Sequence, residues 1–532
     1  MRRLIATAAA RLGRRAPAPQ LHTDHAIAAR AFDAAFYLKF NPDVAANGGD
    51  PLDHFMAFGW REGRDPTPDF SVRAYLAAFP EVAASDANPF VHYLASGRPR
   101  VLAPEPVLGF RHELIERLVP METRIAVAMT GEVAAGSQAD LSAALATSRD
   151  GLRRLHVTFS HDDYTAHVGG LQLAIQREAA RLAELGRDHL HLHPAGPWPV
   201  VRTADDPALL GVIWNGKAVG FFPATAVADG LAGAGQPVAR TFAIHSLLGH
   251  TADETADILA AAGLNEGVFW LHDFASVCAG FHLLRNDVED CAAPPPDSAA
   301  CGICLYGPWR GRQMAGHARL FERLALTVAA PSQVTLDLWT RAAGLPGAAT
   351  VVLPHAVLTP RGPAPIPASP RPLRIAFAGL PAAHKGWPIF QALASRFADD
   401  PRYEFLHLGA RRDPAAPARF TQVAVTAANP LAMQEALEAA EVDVVLLWSL
   451  CRETFSFVAH EAAAAGCAVL TGPDSGNIAA FVAQTGHGRV LAGEAALRAA
   501  FETGELLDLA RAQRRPMLYD LAFSALTLDL SS

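Results

Sequence analysis

Two blocks in which apolar, strand-like runs alternate with helical runs constrain the fold of this chain more than any other feature. The first block begins at Leu155–Ser160 (LHVTFS), and the second restarts at Arg374–Gly379 (RIAFAG) after the proline-rich stretch Thr359–Pro372. Such alternation predicts parallel sheets with helices on both faces. We therefore expect an α/β fold with two doubly wound, Rossmann-like domains over 152–358 and 373–495, joined by a semi-rigid linker. A ligand site is expected where the carboxyl ends of the strands face the cleft between the domains.

A repeat with an offset of 38 residues precedes the first block. Phe32–Gly59 aligns with Phe70–Gly97, and the aligned pairs are Tyr37 and Tyr75, Pro42 and Pro80, Val44 and Val82, Pro51 and Pro89, His54 and His92, and Gly59 and Gly97. Each unit reads as two short helices, of which the second starts near a proline and ends at glycine. Two units are too few for a solenoid. We expect a small helical repeat module over 31–100, in which the paired histidines pack helices rather than bind a ligand.

The remaining segments are assigned from composition and position. A basic tail over 1–30, a linker over 101–151 and C-terminal helices over 496–532 that pack back across the domains complete the prediction. The tail opens MRRLIATAAARLGRRAPAP, which is also compatible with a weak signal peptide or a membrane-surface helix. No later run approaches the ~20 apolar residues of a membrane span. We expect a cytoplasmic protein, with association at the inner face of the membrane left open.

Charge and cysteine content exclude two classes of protein. The formal net charge is −8, which gives no basis for nucleic-acid binding. Six cysteines in 532 residues are too few for a disulfide scaffold. Four of them cluster with the spacing C-x12-C-x9-C-x2-C, namely Cys278, Cys291, Cys301 and Cys304. A Cys-x-x-Cys pair within a set of four thiols suits a structural zinc ion, and free buried cysteines are the alternative.

Two glutamates lie eight positions apart near the start of a predicted helix. Glu453 is expected at the mouth of a helix that begins near Thr454, and Glu461 about two turns further in. The amino end of a helix offers unpaired N–H groups and positive potential that can bind a diphosphate. A carboxylate deeper in the helix can accept hydrogen bonds from ribose hydroxyls. Ordinary helix glutamates would show the same spacing, because acidic residues are favoured in a first turn.

This stretch resembles the donor-site signature of retaining glycosyltransferases with the GT-B fold, especially glycosyltransferase family 4. It reads ETFSFVAHE and continues AAAAGCAVL, with Ala468 where the family usually has proline. The resemblance implies that Glu453 faces the transferred sugar and Glu461 the ribose. It also implies that Thr454 and Phe455 offer backbone amides near the phosphates or the sugar.

A second element of the resemblance follows the first strand of the second block. Gly379 opens a loop that reaches Lys385 before the next helix. A lysine at such a turn can neutralise a diphosphate leaving group, although a solvated loop lysine is the alternative. The family usually has arginine directly after the glycine, where this chain has Leu380. One positive charge is therefore missing from the expected phosphate site.

The first block supplies weaker candidates. Gly169 and Gly170 lie between a strand and a helix, and glycines allow the backbone to approach a ligand closely. In the family a similar loop faces the donor. His272 and His245 each end a strand that should point at the cleft. His272 resembles the family residue that contacts the transferred sugar, and His245 is the weaker candidate.

These features predict a retaining, hexosyltransferase-like glycosyltransferase. Its donor would be a nucleotide-sugar of the UDP or GDP type, its acceptor a glycan or a lipid-linked sugar, and no catalytic metal would be required. The resemblance covers Leu155–Leu491. The repeats resemble modules fused to bacterial polysaccharide glycosyltransferases, which implies a role in surface polysaccharide synthesis. The alternatives are a non-catalytic GT-B relative that binds a glycan or a partner protein, and another GT-B enzyme such as an epimerase or a phosphorylase.

Overall fold

The computed structural model describes residues 18–68, 70–97, 109–131, 133–167, 169–206, 208–232, 237–365 and 370–530. Most of the predicted basic tail and four residues of the proline-rich linker lie outside these ranges. The chain divides into two compact units, Met1–Phe110 and Arg111–Ser532. Within the described ranges, no helix combines the length and the apolar character needed to cross a membrane.

The first unit is the helical repeat module. Its helices are α1 (Ala18–Ala29), α2 (Ala34–Phe40), α3 (Pro42–Asn47), α4 (Pro51–His54), α5 (Val72–Ala78), α6 (Pro80–Ala83) and α7 (Pro89–Ala95). The two repeats build the same contact, because the hydroxyl of Tyr37 lies 3.0 Å from Nδ1 of His54 and that of Tyr75 lies 2.8 Å from Nδ1 of His92. An edge-to-face contact between Phe55 and Phe90, with ring centroids 5.9 Å apart, joins the two repeats. The histidines therefore pack helices, as the sequence indicated.

Three helices occupy part of the segment predicted as a linker over 101–151. They are α8 (Phe110–Glu116), α9 (Met121–Thr130) and α10 (Gln138–Leu145). A capping box between Ser137 and Asp140 starts α10, and the helix buries Leu141 and Leu145 in the core of the domain that follows. The linker assignment is therefore wrong for α10. The run of apolar residues is too short to have predicted a packed helix from the sequence.

The first α/β domain contains an eight-stranded sheet. Its elements are β1 (Leu155–Phe159), α11 (Gly170–Glu184), β2 (Asp188–Pro194), β3 (Leu210–Trp214), β4 (Lys217–Phe222), α12 (Ala224–Ala232), β5 (Thr241–Ile244), α13 (Ala252–Ala261), β6 (Glu266–Trp270), β7 (Leu284–Arg285), β8 (Glu289–Asp290), α14 (Ala299–Gly302), α15 (Gly307–Arg323), β9 (Ala325–Ala330), α16 (Gln333–Ala343) and β10 (Ala349–Val352). The strand order is β10-β9-β6-β5-β1-β2-β3-β4. All pairs are parallel except β2–β3 and β3–β4 at one edge, and β7–β8 form a separate hairpin.

The second α/β domain contains a six-stranded, fully parallel sheet. Its elements are β11 (Ala356–Pro363), β12 (Leu373–Ala378), α17 (Trp387–Arg396), β13 (Tyr403–Gly409), β14 (Arg419–Gln422), α18 (Ala432–Ala439), β15 (Val444–Leu446), α19 (Phe457–Ala464), β16 (Ala468–Thr471), α20 (Asn477–Thr485), β17 (Gly488–Val490), α21 (Glu494–Thr503), α22 (Arg511–Arg514) and β18 (Met517–Phe523). The order is β14-β13-β12-β15-β16-β17. The first strand of the sheet, β12, thus lies between β13 and β15, and ligands bind at such a switch point.

The prediction of two doubly wound α/β domains preceded by a helical module is confirmed. Their cores lie on the buried sheet faces, for example at Val157 and Phe242 in the first domain and at Leu406 and Val445 in the second. These positions carry no exposed surface, as expected for sheets covered by helices on both sides.

The C-terminal segment departs from the prediction of helices alone. Strand β18 pairs with β11 in an antiparallel ribbon, so the predicted linker over 359–372 begins as a strand. After the ribbon the chain returns to the first domain, where Nε1 of Trp270 donates to the hydroxyl of Thr527 at 3.0 Å. The segment therefore packs on both domains and includes a strand that exists only through a distant partner.

Candidate functional site

The helix that carries Glu461 begins later than the sequence predicted. Ser456 caps α19 by accepting a hydrogen bond from the amide of Ala459 at 3.2 Å. Thr454 precedes the helix and joins the two domains, because its hydroxyl donates to the carbonyl of His272 at 2.7 Å and its own carbonyl accepts from Ser332 at 2.8 Å. The loop before α19 is thus held at the domain interface.

Lys385 and Glu453 form an ion pair at the carboxyl ends of β12 and β15. Nζ of Lys385 lies 2.5 Å from Oε1 of Glu453, and the hydroxyl of Ser449 donates to the same oxygen at 3.1 Å. Burial alone would lower the pKa of Lys385, but the neighbouring carboxylate outweighs it and the net shift is upward. Lys385 therefore carries its positive charge at the switch point of the sheet.

The loop that carries Lys385 packs directly against the end of β15. Gly386 adopts a φ of +86°, and a Cβ there would lie 2.1 Å from the carbonyl oxygen of Trp448, so only glycine fits. The carbonyl of His384 accepts hydrogen bonds from the amide of Leu450 at 2.9 Å and the hydroxyl of Ser449 at 3.1 Å. These contacts fix the lysine's backbone beside Glu453.

Two further predicted residues lie in or beside this loop. Gly379 directly follows β12 and has a φ of +118°, a conformation that favours glycine, and its carbonyl lies 3.1 Å from Nε2 of His407. Leu380, where the family usually has arginine, is 53% exposed. Its side chain therefore adds no charge to the site.

Glu461 is a buried carboxylate with unused hydrogen-bonding capacity. It is 4% exposed, and its carboxylate makes no hydrogen bond with any residue in the described ranges. Burial raises its pKa to about 7, although Arg177 of the first domain partly offsets this effect. The guanidinium of Arg177 packs 3.5 Å from the ring centroid of Phe523. Such a carboxylate is prepared to accept hydrogen bonds from a hydroxylated ligand.

The glycine turn of the first domain faces α19. Gly169 caps α11 in an extended conformation and Gly170 is its first residue. A Cβ on Gly170 would lie 3.6 Å from the ring of Phe457, the first residue of α19. The amino ends of α11 and α19 therefore meet across the domain interface.

The two histidines from the first domain lie next to each other. Nδ1 of His245 is 2.7 Å from Nε2 of His272. The ring of His272 stacks on His355 with a centroid distance of 5.2 Å, and His355 contacts Phe455 at 5.1 Å. His272 thus lies beside the loop that contains Glu453, whereas His245 lies behind it and is buried.

Several contacts between the domains were missed by the sequence analysis. His282 stacks on His384 with ring centroids 4.6 Å apart, and Arg452 forms a two-pronged ion pair with Asp290 at 2.7 and 2.8 Å. Asp290 belongs to the β7–β8 hairpin, which is 162 residues from Arg452 in the chain. No local pattern could have signalled these pairs. They connect the residue directly before Glu453 to the opposite domain.

We expect the Arg452–Asp290 pair to stabilise the contact between the domains measurably. Both side chains are at most one quarter exposed, and two-pronged, charge-assisted bonds exceed ordinary surface pairs in strength. A double-mutant cycle with Arg452→Ala and Asp290→Ala, followed by urea denaturation, should give a coupling energy of about 1–2 kcal/mol. The exposed pair Arg396–Glu502 is the matched control, with an expected coupling below about 1 kcal/mol. Equal couplings would contradict the prediction.

The structure does not confirm the zinc site predicted at the four clustered cysteines. All four are free thiols that line one cavity of about 20 Å³. Among the residues described, no group of three or more His, Cys, Asp or Glu side chains is placed to hold a metal ion. Burial raises the pKa of Cys278 to about 11, and Arg310 donates to the sulfur of Cys301 at 3.3 Å. Zinc binds thiolates, and the guanidinium of Arg310 already contacts the sulfur of Cys301.

Comparison with known proteins gave structural similarity only. The sequence matches no protein-family model and no curated protein. Sucrose-phosphate synthase from Thermosynechococcus elongatus is 15% identical, over 68% of this chain and 92% of that chain, with a TM-score of 0.42. HepE from Anabaena in complex with UDP and glucose is 14% identical, over 71% and 98%, with a TM-score of 0.40. A glycosyltransferase from Rickettsia africae is 11% identical, over 68% and 91%, with a TM-score of 0.35. At such identities and TM-scores, the similarity concerns the fold alone.

Proposed function

We propose that the protein is a glycosyltransferase that uses a nucleotide-sugar donor of the UDP or GDP type. The observation that carries the proposal is the ion pair of Lys385 and Glu453 beside the switch point of the second sheet, with the buried Glu461 on the helix that follows. Their order and spacing also match the donor-site signature described above. A cationic group beside an anionic one, with a hydroxyl-accepting carboxylate nearby, suits a ligand that combines a diphosphate with sugars.

Lys385 and the amino end of α19 would bind the diphosphate. Charge develops on this group when the sugar leaves, and fixed positive groups that face it stabilise the transition state. Lys385 is paired with Glu453, so the donor phosphate would share the ammonium group with this carboxylate. Glu453 would then face the transferred sugar, and Glu461 would accept hydrogen bonds from the ribose. Thr454, Phe455 and Gly379 would line the phosphates or the sugar.

The finer features of the reaction are proposed on the resemblance alone. They comprise retention of the anomeric configuration, transfer to a glycan or lipid-linked acceptor, and a role in bacterial surface polysaccharide synthesis at the inner face of the membrane. No catalytic metal is required in this scheme, because Lys385 and the amino end of α19 would take its place at the diphosphate. Gly169, Gly170 and His272 would contact the donor from the first domain.

A non-catalytic relative is the second candidate, and Leu380 favours it. This exposed leucine stands where a second positive charge would complete the phosphate site. A protein of this kind would bind a glycan or a partner without turnover. The two candidates differ in one measurable respect, which is the cleavage of a donor.

The test is turnover of a panel of UDP- and GDP-sugars, with and without glycan acceptors, by wild type and Glu453→Gln. We expect release or transfer of the sugar from one donor by wild type and a loss of roughly 100-fold or more in the variant. Glu322→Gln, an exposed glutamate on α15, is the matched control and should retain wild-type activity. Failure of wild type to bind or cleave any donor would overturn the proposal in favour of the non-catalytic candidate.

A further inference from the structure

A buried hydrogen-bonded chain of three side chains runs beneath the cleft in the first domain. Oε2 of Glu178 lies 3.2 Å from Nε2 of His245, and Nδ1 of His245 lies 2.7 Å from Nε2 of His272. The side chains of Glu178 and His245 have no exposed surface. Neither the sequence pattern nor the proposed chemistry gives Glu178 a role, yet it is the buried end of the chain that leads to His272.

Glu178 is a fully buried carboxylate with few partners. Its second oxygen accepts a hydrogen bond from the amide of Thr527 at 3.0 Å. Nε2 of His156 lies 3.8 Å away, beyond hydrogen-bonding distance, and makes no other bond. Among the described residues no lysine or arginine forms an ion pair with Glu178, since the guanidinium of Arg187 bonds to Ala239 and Thr241 instead. The counter-charge must therefore come from a histidine.

Charge balance places one proton in the pair formed by Glu178 and His245. An unpaired buried carboxylate is costly, and a hydrogen-bonded imidazolium removes most of that cost. His245 is the histidine in direct contact, so one proton is shared between Oε2 of Glu178 and Nε2 of His245 and the pair is neutral overall. His156 is excluded because burial lowers its pKa to about 4.

This proton determines the state of His272. Whether the shared proton lies on Glu178 or on His245, Nδ1 of His245 carries a hydrogen and donates it to Nε2 of His272. Burial and the nearby His245 and His355 lower the pKa of His272 well below its usual value, so His272 is neutral. A neutral imidazole that accepts at Nε2 carries its own hydrogen on Nδ1. Nδ1 of His272 makes no hydrogen bond with any described residue, and it is available to a ligand.

We propose that Glu178 and His245 are positioning residues that hold His272 as the Nδ1–H tautomer, so that it donates a hydrogen bond to an oxygen of the donor's sugar. The part that concerns the sugar rests on the proposed function, whereas the tautomer does not. The opposite arrangement, with a neutral His245 that accepts at Nδ1, would turn His272 into an acceptor at the same position. The two arrangements require different hydrogen-bonding groups at residue 178.

The variant Glu178→Gln distinguishes the two arrangements. The amide oxygen of Gln can still accept from Thr527, and its NH₂ group can donate to Nε2 of His245, which leaves the hydrogen of a neutral His245 on Nδ1. The Nδ1–H tautomer of His272 is then preserved. We expect Glu178→Gln to keep kcat/KM for the donor within about threefold of wild type. Glu178→Met removes the hydrogen bonds and should raise KM by about tenfold, with a smaller change in kcat. Glu184→Gln on the exposed side of α11 is the control.

The tautomer is measured independently by ¹⁵N NMR of histidine-labelled wild type. With 21 histidines in the chain, the His272 signals are assigned by their loss in His272→Gln. A protonated Nδ1 and an unprotonated Nε2 in wild type support the proposal, and the reverse pattern overturns it even if Glu178→Met fails to fold. A loss of kcat/KM for the donor in Glu178→Gln as large as that in Glu178→Met would also overturn the proposal. If wild type binds no donor, the proposed function and the part that concerns the sugar fail, and the NMR result alone decides the tautomer.

Discussion

Lys385→Ala should reduce kcat for sugar transfer roughly 100- to 1000-fold, with a smaller effect on the KM of the donor. The ammonium group lies at the carboxyl end of β12 beside Glu453, where the diphosphate would leave. A fixed charge that interacts most strongly with the developing charge lowers the barrier more than it tightens ground-state binding, and removal of one such donor typically costs this much. Initial rates with the donor identified in the panel test the prediction.

Two controls make this result specific. Lys217→Ala removes an exposed lysine from β4 and should leave kcat unchanged. Lys385→Arg keeps a positive charge but changes its geometry, and it should recover part of the lost rate. Lys385→Ala also leaves Glu453 without its cation, so thermal unfolding must show that the variant is folded. A loss confined to KM would show that Lys385 binds the donor without stabilising the transition state, which would contradict its assigned role.

Glu461→Gln should have opposite effects on stability and on donor binding. The carboxyl group of Glu461 has a pKa of about 7 in the folded protein because it is buried, against 4.5 when exposed. An acid whose pKa rises on folding binds more protons in the folded state. The wild type therefore loses stability as the pH rises from about 4.5 to about 7, and the variant does not. Above pH 7 the variant should be more stable by about 3 kcal/mol.

The measurement is the free energy of unfolding of both proteins at pH 5 and pH 8. The stability difference should be small at pH 5 and near its full value at pH 8. Donor affinity should fall roughly 10- to 100-fold in the same variant, because hydrogen bonds from ribose hydroxyls to a charged acceptor are lost. Glu438→Gln on α18, at a position without a proposed role in the site, is the control. A stability difference that does not depend on pH would show that Glu461 is not buried in ionised form.

The local pattern of the sequence was sufficient for the two α/β domains, and it singled out the residues that we propose as the donor site. Strand and helix periodicity, and the spacing from Glu453 to Glu461, are properties of neighbouring residues and survive without knowledge of the fold. The paired tyrosine–histidine contacts of the repeat module could also be read from alignment of the repeats. In each case the information lies within a few tens of residues.

Features that depend on contacts between residues distant in the sequence were decided by the tertiary structure alone. Helix α19 begins at Phe457 rather than near Thr454, because Thr454 uses its hydroxyl and carbonyl in contacts with the other domain. Strand β18 forms only because β11 lies beside it, more than 150 residues earlier. The four cysteines have zinc-like spacing, but in the fold they line a small cavity and form no metal-binding group among the described residues. Glu178 reads as an ordinary helix glutamate in the sequence, and only folding buries it against His245 beneath the site. Spacing in the sequence indicates which residues could form a site, whereas burial and long-range contacts determine the charge and the partners of those residues.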